Sequence, residues 1–209
     1  NMFYFLERFK NIDIFIRITT NANNLNEQDI ERIIKGKLLS QINISFNTDS
    51  PETAKKIYID GTRHSHTLDI LNAITKYKNI YATDNPYVDI MFTLLKVNCD
   101  KIPEIIELLR HHSINYFFFQ PLRCYSERLE ELIASDIPQR EITQVEKKLR
   151  DLHIESNISE LHRDTRLLIN RSDSQEVSST TSLINKNGIH IRGYMPLTTL
   201  PICYNGNIP

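Results

Sequence analysis

The stretch Asp89-Ile90-Met91-Phe92-Thr93-Leu94-Leu95-Lys96-Val97 decides the predicted fold, because it is apolar almost throughout. A strand with one face in water alternates polar and apolar residues, whereas a strand of a parallel sheet is covered on both faces. A second apolar run, Tyr116 to Leu122, follows after a helical pattern over 102–109. The two runs therefore predict neighbouring parallel strands joined by a helix.

Four predicted strands alternate with helices along residues 12–122. Apolar residues at every second position indicate the first strand, and continuous apolar runs indicate the last two. Asn26 and the segment Ser50-Pro51-Glu52 have the capping chemistry of helix starts. The predicted strands are 12–19, 42–47, 89–97 and 116–122, and the predicted helices are 27–35, one that begins near 50, 68–74 and 102–109.

This alternation predicts an α/β fold in which right-handed crossovers build a parallel sheet, either open or curled into a barrel. Four strands are too few to close a barrel by themselves. Residues 127–161 are predicted to be helical with a break at Pro138, and residues 164–209 to form a small irregular tail with short strands. We therefore place a domain boundary near Asp164, between an α/β unit (1–163) and the tail (164–209).

Composition narrows the classes of function. The chain has 209 residues, of which 40% are hydrophobic and 24% charged, and its formal net charge of -1 gives no electrostatic footprint for nucleic acid. No run approaches the roughly 20 apolar residues that span a bilayer. We expect a cytoplasmic protein with no nucleic-acid or membrane partner. The patterns at both ends, including Asn205 to Pro209, predict a sequence that is truncated at each end.

Polar residues at the predicted carboxyl ends of the strands are the candidate site, because ligands of parallel sheets bind at that edge. Hydroxyl and amide groups suit the binding of ribose or amino-acid groups, but they supply no general base. An alternative is that they satisfy helix starts and turns. The candidates are Thr19, Thr20, Asn21, Ser45, Asn47, Asn98 and Gln120.

Two histidine pairs and three dispersed cysteines are the candidate metal ligands of the sequence. No Asp, Glu or Cys stands at a familiar ligand spacing from His64 and His66 or from His111 and His112, so the sequence predicts surface histidines. Cysteines 99, 124 and 203 are too far apart for a zinc knuckle or a redox dithiol and are expected to be isolated thiols. No Gly-rich phosphate loop or Gly-x-Ser-x-Gly elbow occurs.

Residues 10–122 resemble, in consistent order, the radical S-adenosylmethionine enzymes. The segment Ile18-Thr19-Thr20-Asn21-Ala22 looks like the family's T-N-G turn after its third strand, and Ile42 to Thr53 looks like its I-S-x-D strand and P-E-T helix start. Residues 94–105 and 116–122 are similar to its fifth and sixth strand regions. The resemblance implies a partial TIM-like (β/α) barrel that lacks its first strands.

The resemblance also implies a cofactor chemistry. In that family a [4Fe-4S] cluster reductively cleaves S-adenosylmethionine, and the resulting deoxyadenosyl radical abstracts a hydrogen from the substrate. By position, Ser45 and Asn47 would face the ribose and methionyl parts of the cofactor. Thr19 and Asn21 would line the same mouth, and Gln120 would contribute from the last strand.

The sequence departs from the family at the cofactor site. The C-x-x-x-C-x-x-C loop and the G-G-E segment are absent, so the cluster ligands are not in this chain. Ala22, Asn47 and Tyr58 stand where the family commonly has glycine, aspartate and arginine. The tail from Pro196 to Pro209 looks like the start of the accessory cluster domain of peptide-modifying members, although Gly193 stands where a cysteine is expected.

Three function hypotheses follow. In the first, the chain is a fragment of a radical S-adenosylmethionine enzyme that modifies a peptide or protein substrate, inactive as these 209 residues alone. In the second, it is a noncatalytic α/β binding module that has lost the cluster site. A third hypothesis is an unrelated doubly wound α/β domain.

Overall fold

A computed structural model describes residues 2–58, 61–122 and 139–159 of the chain. The helices are α1 Met2–Phe9, α2 Glu27–Gly36, α3 Pro51–Ile57, α4 Thr62–Ile80, α5 Ile102–Leu109 and α6 Gln139–Asp151, and a 3-10 turn spans Cys99–Lys101. The strands are β1 Arg17–Thr20, β2 Gln41–Ser45, β3 Tyr87–Leu94, β4 Tyr116–Pro121 and β5 Glu155–Ser156.

The five strands form one parallel sheet in the order β1-β2-β3-β4-β5. The register aligns Thr19, Asn43, Asp89 and Tyr116 across the first four strands. This confirms the prediction of an α/β fold with a parallel sheet. Closure into a TIM-like barrel remains a prediction, and the domain boundary near Asp164 and the strands of the tail lie outside the described residues.

The two faces of the sheet differ in chemistry. One face is apolar and shares a single hydrophobic core with the buried residues of α2, α4, α5 and α6. Because consecutive parallel strands are neighbours, right-handed crossovers bring these helices to the same side. The apolar face consists of Ile18, Ile42, Ile44, Val88, Ile90, Phe92, Phe117 and Phe119.

The opposite face, which we call the polar face, carries the alternate residues of the same strands. Asn43, Asp89 and Met91 are buried on it, whereas Thr19 is exposed. Met91 and the aromatic residues make it only partly polar. Its members are Arg17, Thr19, Gln41, Asn43, Ser45, Tyr87, Asp89, Met91, Thr93, Tyr116, Phe118 and Gln120.

Local chemistry explains where the helices begin and end. Asn26 and Asp29 form a capping box at the start of α2, and the Ser50 side chain accepts a hydrogen bond from Thr53 N at the start of α3. Helix α2 ends where Lys37 adopts φ 50°, in the left-handed region. These boundaries confirm the predicted helix starts at Asn26 and Ser50.

Two predictions of secondary structure were wrong. The first strand does not extend over 12–16, because its partner β2 begins only at Gln41. Just before β1, Ile16 O accepts hydrogen bonds from Ser40 N and Gln41 N, and Ile16 N donates to Ser40 Oγ. Residues 12–15 precede the sheet, and Phe15 is 70% exposed.

The helical prediction over 127–161, with its break at Pro138, is confirmed over Gln139–Asp151 and is wrong for the described residues that follow. Helix α6 ends at Asp151, His153 adopts φ 58°, and Glu155–Ser156 then pairs with β4 as a fifth strand. Asn157 extends that pairing, since its side chain bonds Phe119 N and Phe119 O at 2.8 and 2.9 Å. Within the described ranges, no helix is long and apolar enough to cross a membrane.

Candidate ligand cleft at the carboxyl edge of the sheet

A narrow cleft lies at the carboxyl ends of β1 and β2, where the chain passes into α3 and α4. Its enclosed part measures about 10 Å³, which is room for at most one water molecule. The residues that line it are Asn21, Ser45, Phe46, Asn47, Thr48, Tyr58, Arg63, His64 and Thr67.

Asn47 joins the cleft to the neighbouring strand. Its Oδ1 accepts a hydrogen bond from Thr93 N at 2.7 Å, and its Nδ2 donates to the Tyr58 hydroxyl at 2.9 Å. Burial raises the pKa of Tyr58, so this hydroxyl stays protonated at neutral pH. Asn47 therefore has both ends of its amide engaged inside the protein.

Asn98 holds the loop that contains Asn47 in place. Its Oδ1 accepts from Leu95 N at 2.8 Å, and its Nδ2 donates to Asn47 O at 2.9 Å and to Thr93 O at 3.1 Å. The side chain is fully buried. Asn98 thus serves three backbone groups, which agrees with the turn-satisfying alternative considered for the candidate residues.

His64 forms the inner wall of the cleft. Its Nδ1 lies 2.9 Å from Thr48 Oγ1, and both side chains are buried. Burial lowers the pKa of His64, and the negative charge of Asp49 partly opposes that effect. The prediction of a surface histidine was wrong at this position, because α4 begins at Thr62 and turns the side chain inward against Phe46, 5.5 Å between ring centroids.

Arg63 is the positive charge of the cleft. With the Asn23 amide oriented to satisfy both of its ends, Asn23 Oδ1 accepts from Arg63 Nε and Nη2, each at 2.9 Å. The guanidinium also lies over the Tyr58 ring, 4.8 Å from its centroid. These contacts hold the guanidinium in place, and an arginine has further N–H donors with which to bind an anion.

Three of the five predicted cofactor-binding residues, Asn21, Ser45 and Asn47, meet at this cleft. Asn21 Oδ1 accepts from Asn23 N at 3.2 Å, which is a turn contact. The Ser45 hydroxyl is half-buried, and no described residue hydrogen-bonds to it. Ser45 is therefore the predicted residue with the greatest capacity to bind a ligand.

Thr19 and Gln120 lie on the polar face but not in the cleft. Thr19 Oγ1 accepts a hydrogen bond from Asn43 Nδ2 at 3.3 Å, and Gln120 Nε2 donates to Thr93 Oγ1 at 3.0 Å. Asn43 is 4% exposed, and its Oδ1 has no hydrogen-bond partner among the described residues. An unsatisfied buried amide oxygen is costly, and a ligand hydroxyl or amine could satisfy it.

Sequence reasoning missed Arg63 and His64 as parts of the cleft. The predicted candidates lie at strand ends, whereas these two side chains come from the first turn of α4. A helix that follows a loop at the carboxyl edge begins at that edge. Arg63 and His64, which come shortly after Gly61, could therefore have been predicted as residues of the cleft.

The described residues do not fit an iron–sulfur cluster. No group of three His, Cys, Asp or Glu side chains within the described ranges could hold a metal ion. Cys99 lies 3.8 Å from Lys96 O in a turn, and burial together with Asp100 raises the pKa of its thiol. Ser45, Arg63 and Asn43 do offer a polar ligand a hydroxyl, a guanidinium and an unsatisfied amide oxygen.

Comparison with known proteins did not assign the chain to a family. No family model matches the sequence, and no curated protein matches it at a significant level.

Proposed function

We propose that this chain is part of a radical S-adenosylmethionine barrel, and that it contributes binding of S-adenosylmethionine at the carboxyl edge of its sheet. The observation that carries the proposal is the strand order β1-β2-β3-β4-β5, all parallel, with α2, α4, α5 and α6 against one face. A sheet wound in one direction in this way is suited to line a barrel interior with its other face. A doubly wound sheet would reverse its strand order and place helices on both faces.

Ala22 supports the resemblance at the first turn. It adopts φ 64°, in the left-handed region that favours glycine, and it stands where the family has the glycine of its T-N-G turn. Ala22 N donates to Thr20 Oγ1 at 3.0 Å, and Leu25 N donates to Ala22 O at 2.9 Å. The backbone of this turn therefore has a conformation that favours glycine, although the residue is alanine.

Arg63 is the residue on which ligand binding depends most. A carboxylate held by a fixed guanidinium forms charge-assisted hydrogen bonds, which are roughly twice as strong as neutral ones. The arginine that the resemblance places after Ile57 is replaced by Tyr58, and Arg63 lies over the ring of that tyrosine. Arg63 would supply the missing charge for the methionyl carboxylate.

The enclosed part of the cleft is too small for the whole ligand, so only one end of the ligand would occupy it. The rest would extend along the polar face, where Ser45, Asn43 and Gln120 lie. These side chains bind and orient; none of them is placed to take or give a proton. The role of this chain is therefore cofactor binding rather than an acid or base step.

Equilibrium dialysis with S-adenosylmethionine tests the proposal. We expect saturable binding by the wild-type chain, at least about tenfold weaker binding by Arg63→Met, and unchanged binding by Arg110→Met. Arg110 is a suitable control because it is exposed and contacts Glu107 at the other edge of the sheet. Absence of saturable binding, or equal binding by Arg63→Met, would contradict the proposal.

A noncatalytic binding module is the second candidate. Engagement of Asn47 by Tyr58 and Thr93 favours it, since a side chain fixed in this way suits a structural role. Both candidates predict that these 209 residues bind ligand without producing deoxyadenosine after anaerobic treatment with iron, sulfide and a reductant. Sequencing of the coding DNA upstream separates them, because a C-x-x-x-C-x-x-C motif followed by G-G-E would favour the enzyme. A peptide or protein substrate remains part of the enzyme proposal.

A further inference from the structure

A second cavity lies at the amino edge of the sheet, between the loops that lead into β3 and β4. Its volume is about 300 Å³, at the lower end of the range of small-molecule sites. The lining is mostly polar and combines two loops. Its residues are Lys78 and Asn79 from the end of α4, Ala82, Thr83 and Asp84 from the loop before β3, and Ser113, Ile114 and Asn115 from the loop before β4.

Lys78 is the notable member of this lining. Only 6% of the residue is exposed, and no hydrogen bond or ion pair joins its Nζ to any of the residues that the structure describes. Burial lowers the pKa of the Lys78 ammonium, and the negative charge of Asp84 opposes that effect. The stem of Lys78 is therefore buried, whereas its ammonium group opens into the cavity and reaches solvent there.

Lys78 is not required to cap the end of α4. A lysine in the last helical turn often bonds the free carbonyls there. Here the carbonyls of Tyr77, Lys78 and Asn79 already accept hydrogen bonds from Tyr81 N, Thr83 N and Ala82 N, at 2.9, 3.0 and 3.3 Å. The ammonium group is therefore available to a ligand in the cavity.

The other polar groups of the cavity include further donors. Asn115 Oδ1 accepts from Val88 N at 2.9 Å, which leaves its Nδ2 group without a described partner. The Ser113 hydroxyl is likewise unengaged among the described residues, while Ser113 N donates to Thr75 Oγ1 at 3.0 Å and holds the loop in place. One ammonium, one amide and one hydroxyl are the donor types that bind oxyanions.

We propose that the amino-edge cavity is a binding site for a small ligand that carries a carboxylate or phosphate group, with Lys78 as its charge partner and Ser113 and Asn115 as neutral donors. The ligand would give the Lys78 ammonium a direct hydrogen-bonding partner, in addition to the nearby negative charge of Asp84. The site is at the opposite edge of the sheet from the S-adenosylmethionine proposal and does not depend on it.

NMR titration with inorganic phosphate, and separately with acetate, at constant ionic strength tests this site. We expect saturable shifts of the Thr83, Ser113 and Asn115 amide signals with one or both anions. We also expect at least tenfold weaker binding in Lys78→Met and in Lys78→Gln, and unchanged binding in Lys35→Met, whose lysine is exposed on α2. Saturation by phosphate alone assigns a phosphate-bearing ligand, and saturation by acetate assigns a carboxylate.

Shifts that rise linearly without saturation, or saturation that both Lys78 variants preserve, would overturn the proposal. The glutamine variant guards against a packing effect of methionine. Amide signals of β3 report whether each variant keeps the wild-type fold, so loss of binding can be separated from loss of structure.

Discussion

The two edges of the sheet differ in how their polar side chains are satisfied. At the carboxyl edge, Asn47, Asn98 and His64 bond to neighbouring groups and leave room for about one water molecule. At the amino edge, Lys78 has no described partner and borders a cavity of about 300 Å³. Parallel sheets usually bind ligands at the carboxyl edge, but here many polar side chains of that edge hydrogen-bond to the protein's own loops. Position in a fold indicates where a site can be, and a cavity with unpaired donors indicates where a ligand could bind.

Replacement of Asn98 by alanine tests whether the carboxyl edge depends on its internal hydrogen bonds. The change would leave Leu95 N, Asn47 O and Thr93 O without their partner inside the protein. We expect the free energy of unfolding to fall by about 2–4 kcal/mol. Urea denaturation measures this change.

Asn79→Ala is the matched control at the amino edge. Asn79 is an exposed amide that makes no hydrogen bond to a described residue through its side chain. We expect a change within about 0.5 kcal/mol. Equal losses for Asn98→Ala and Asn79→Ala would mean that the two edges do not differ in the way their contacts indicate.

Replacement of Lys78 by methionine should have the opposite sign. Methionine keeps the buried stem of the side chain and removes an ammonium group whose pKa is lowered by burial. We expect a gain of up to about 1 kcal/mol at neutral pH in chloride buffer. Thermal or urea unfolding would show the gain, and Lys35→Met, on an exposed face, should show none.

The gain in Lys78→Met should depend on pH. Because the folded-state pKa of Lys78 is lowered, the unfolded chain binds more protons between that pKa and the ordinary lysine value near 10.4. The wild type therefore becomes more stable as pH rises through this window, and the advantage of the methionine variant shrinks. An advantage that grew with pH would show that the ammonium charge is not the cause.

His64 provides a pH test of the carboxyl edge. Its folded-state pKa is lowered by burial, so the unfolded chain takes up a proton first as pH falls below about 6.5. Stability should fall with decreasing pH until the folded-state pKa is reached, with a slope of up to about 1.4 kcal/mol per pH unit. The slope should be smaller in His64→Gln and unchanged in His111→Gln, whose histidine is exposed.

His112 contributes to the same pH dependence from the amino side of the sheet. Burial lowers the pKa of His112 as well, so His64→Gln should retain part of the slope. Double replacement of His64 and His112 should remove most of it between pH 6.5 and 5. If the double variant kept the full slope, carboxylates elsewhere would be responsible.

The sequence predicted most of the fold because its signals are local. Asn26 and Ser50 start helices by hydrogen bonding within one turn, and the apolar run over 89–97 marks a buried strand whatever its neighbours are. Strand β5 was missed because a strand of two residues is too short to show an alternating pattern. Its pairing also depends on the distant Phe119, which bonds to the side chain of Asn157. The first strand was predicted too long because alternation alone does not reveal where the pairing strand begins.

The candidate site was harder to predict from sequence. Strand ends identified Asn21, Ser45 and Asn47, which do meet in space. No local pattern indicates that Asn47 has both ends of its amide engaged, since one partner lies 46 residues away at Thr93. The burial of Lys78 was equally hidden, because a lysine in a final helical turn is ordinarily a solvated cap.

The smallest expected effects concern residues held at positive φ at the two edges. Lys37 is exposed at the amino edge with φ 50°, and its backbone N–H bonds the carbonyls of Ile33 and Ile34. Replacement by glycine removes the steric cost of the left-handed conformation and loses no buried surface. We expect Lys37→Gly to stabilise the protein by about 0.5–1 kcal/mol.

Ala22 is the counterpart at the carboxyl edge, with φ 64° and a fully buried methyl group. In Ala22→Gly the same conformational relief is opposed by loss of the buried methyl, worth about 0.8 kcal/mol, and by the greater freedom of glycine in the unfolded chain. We expect a net change near zero, measured by thermal unfolding beside Lys37→Gly. A gain at Ala22 equal to that at Lys37 would mean that its methyl group adds little to packing, and that the turn at this edge tolerates glycine as readily as an exposed helix end does.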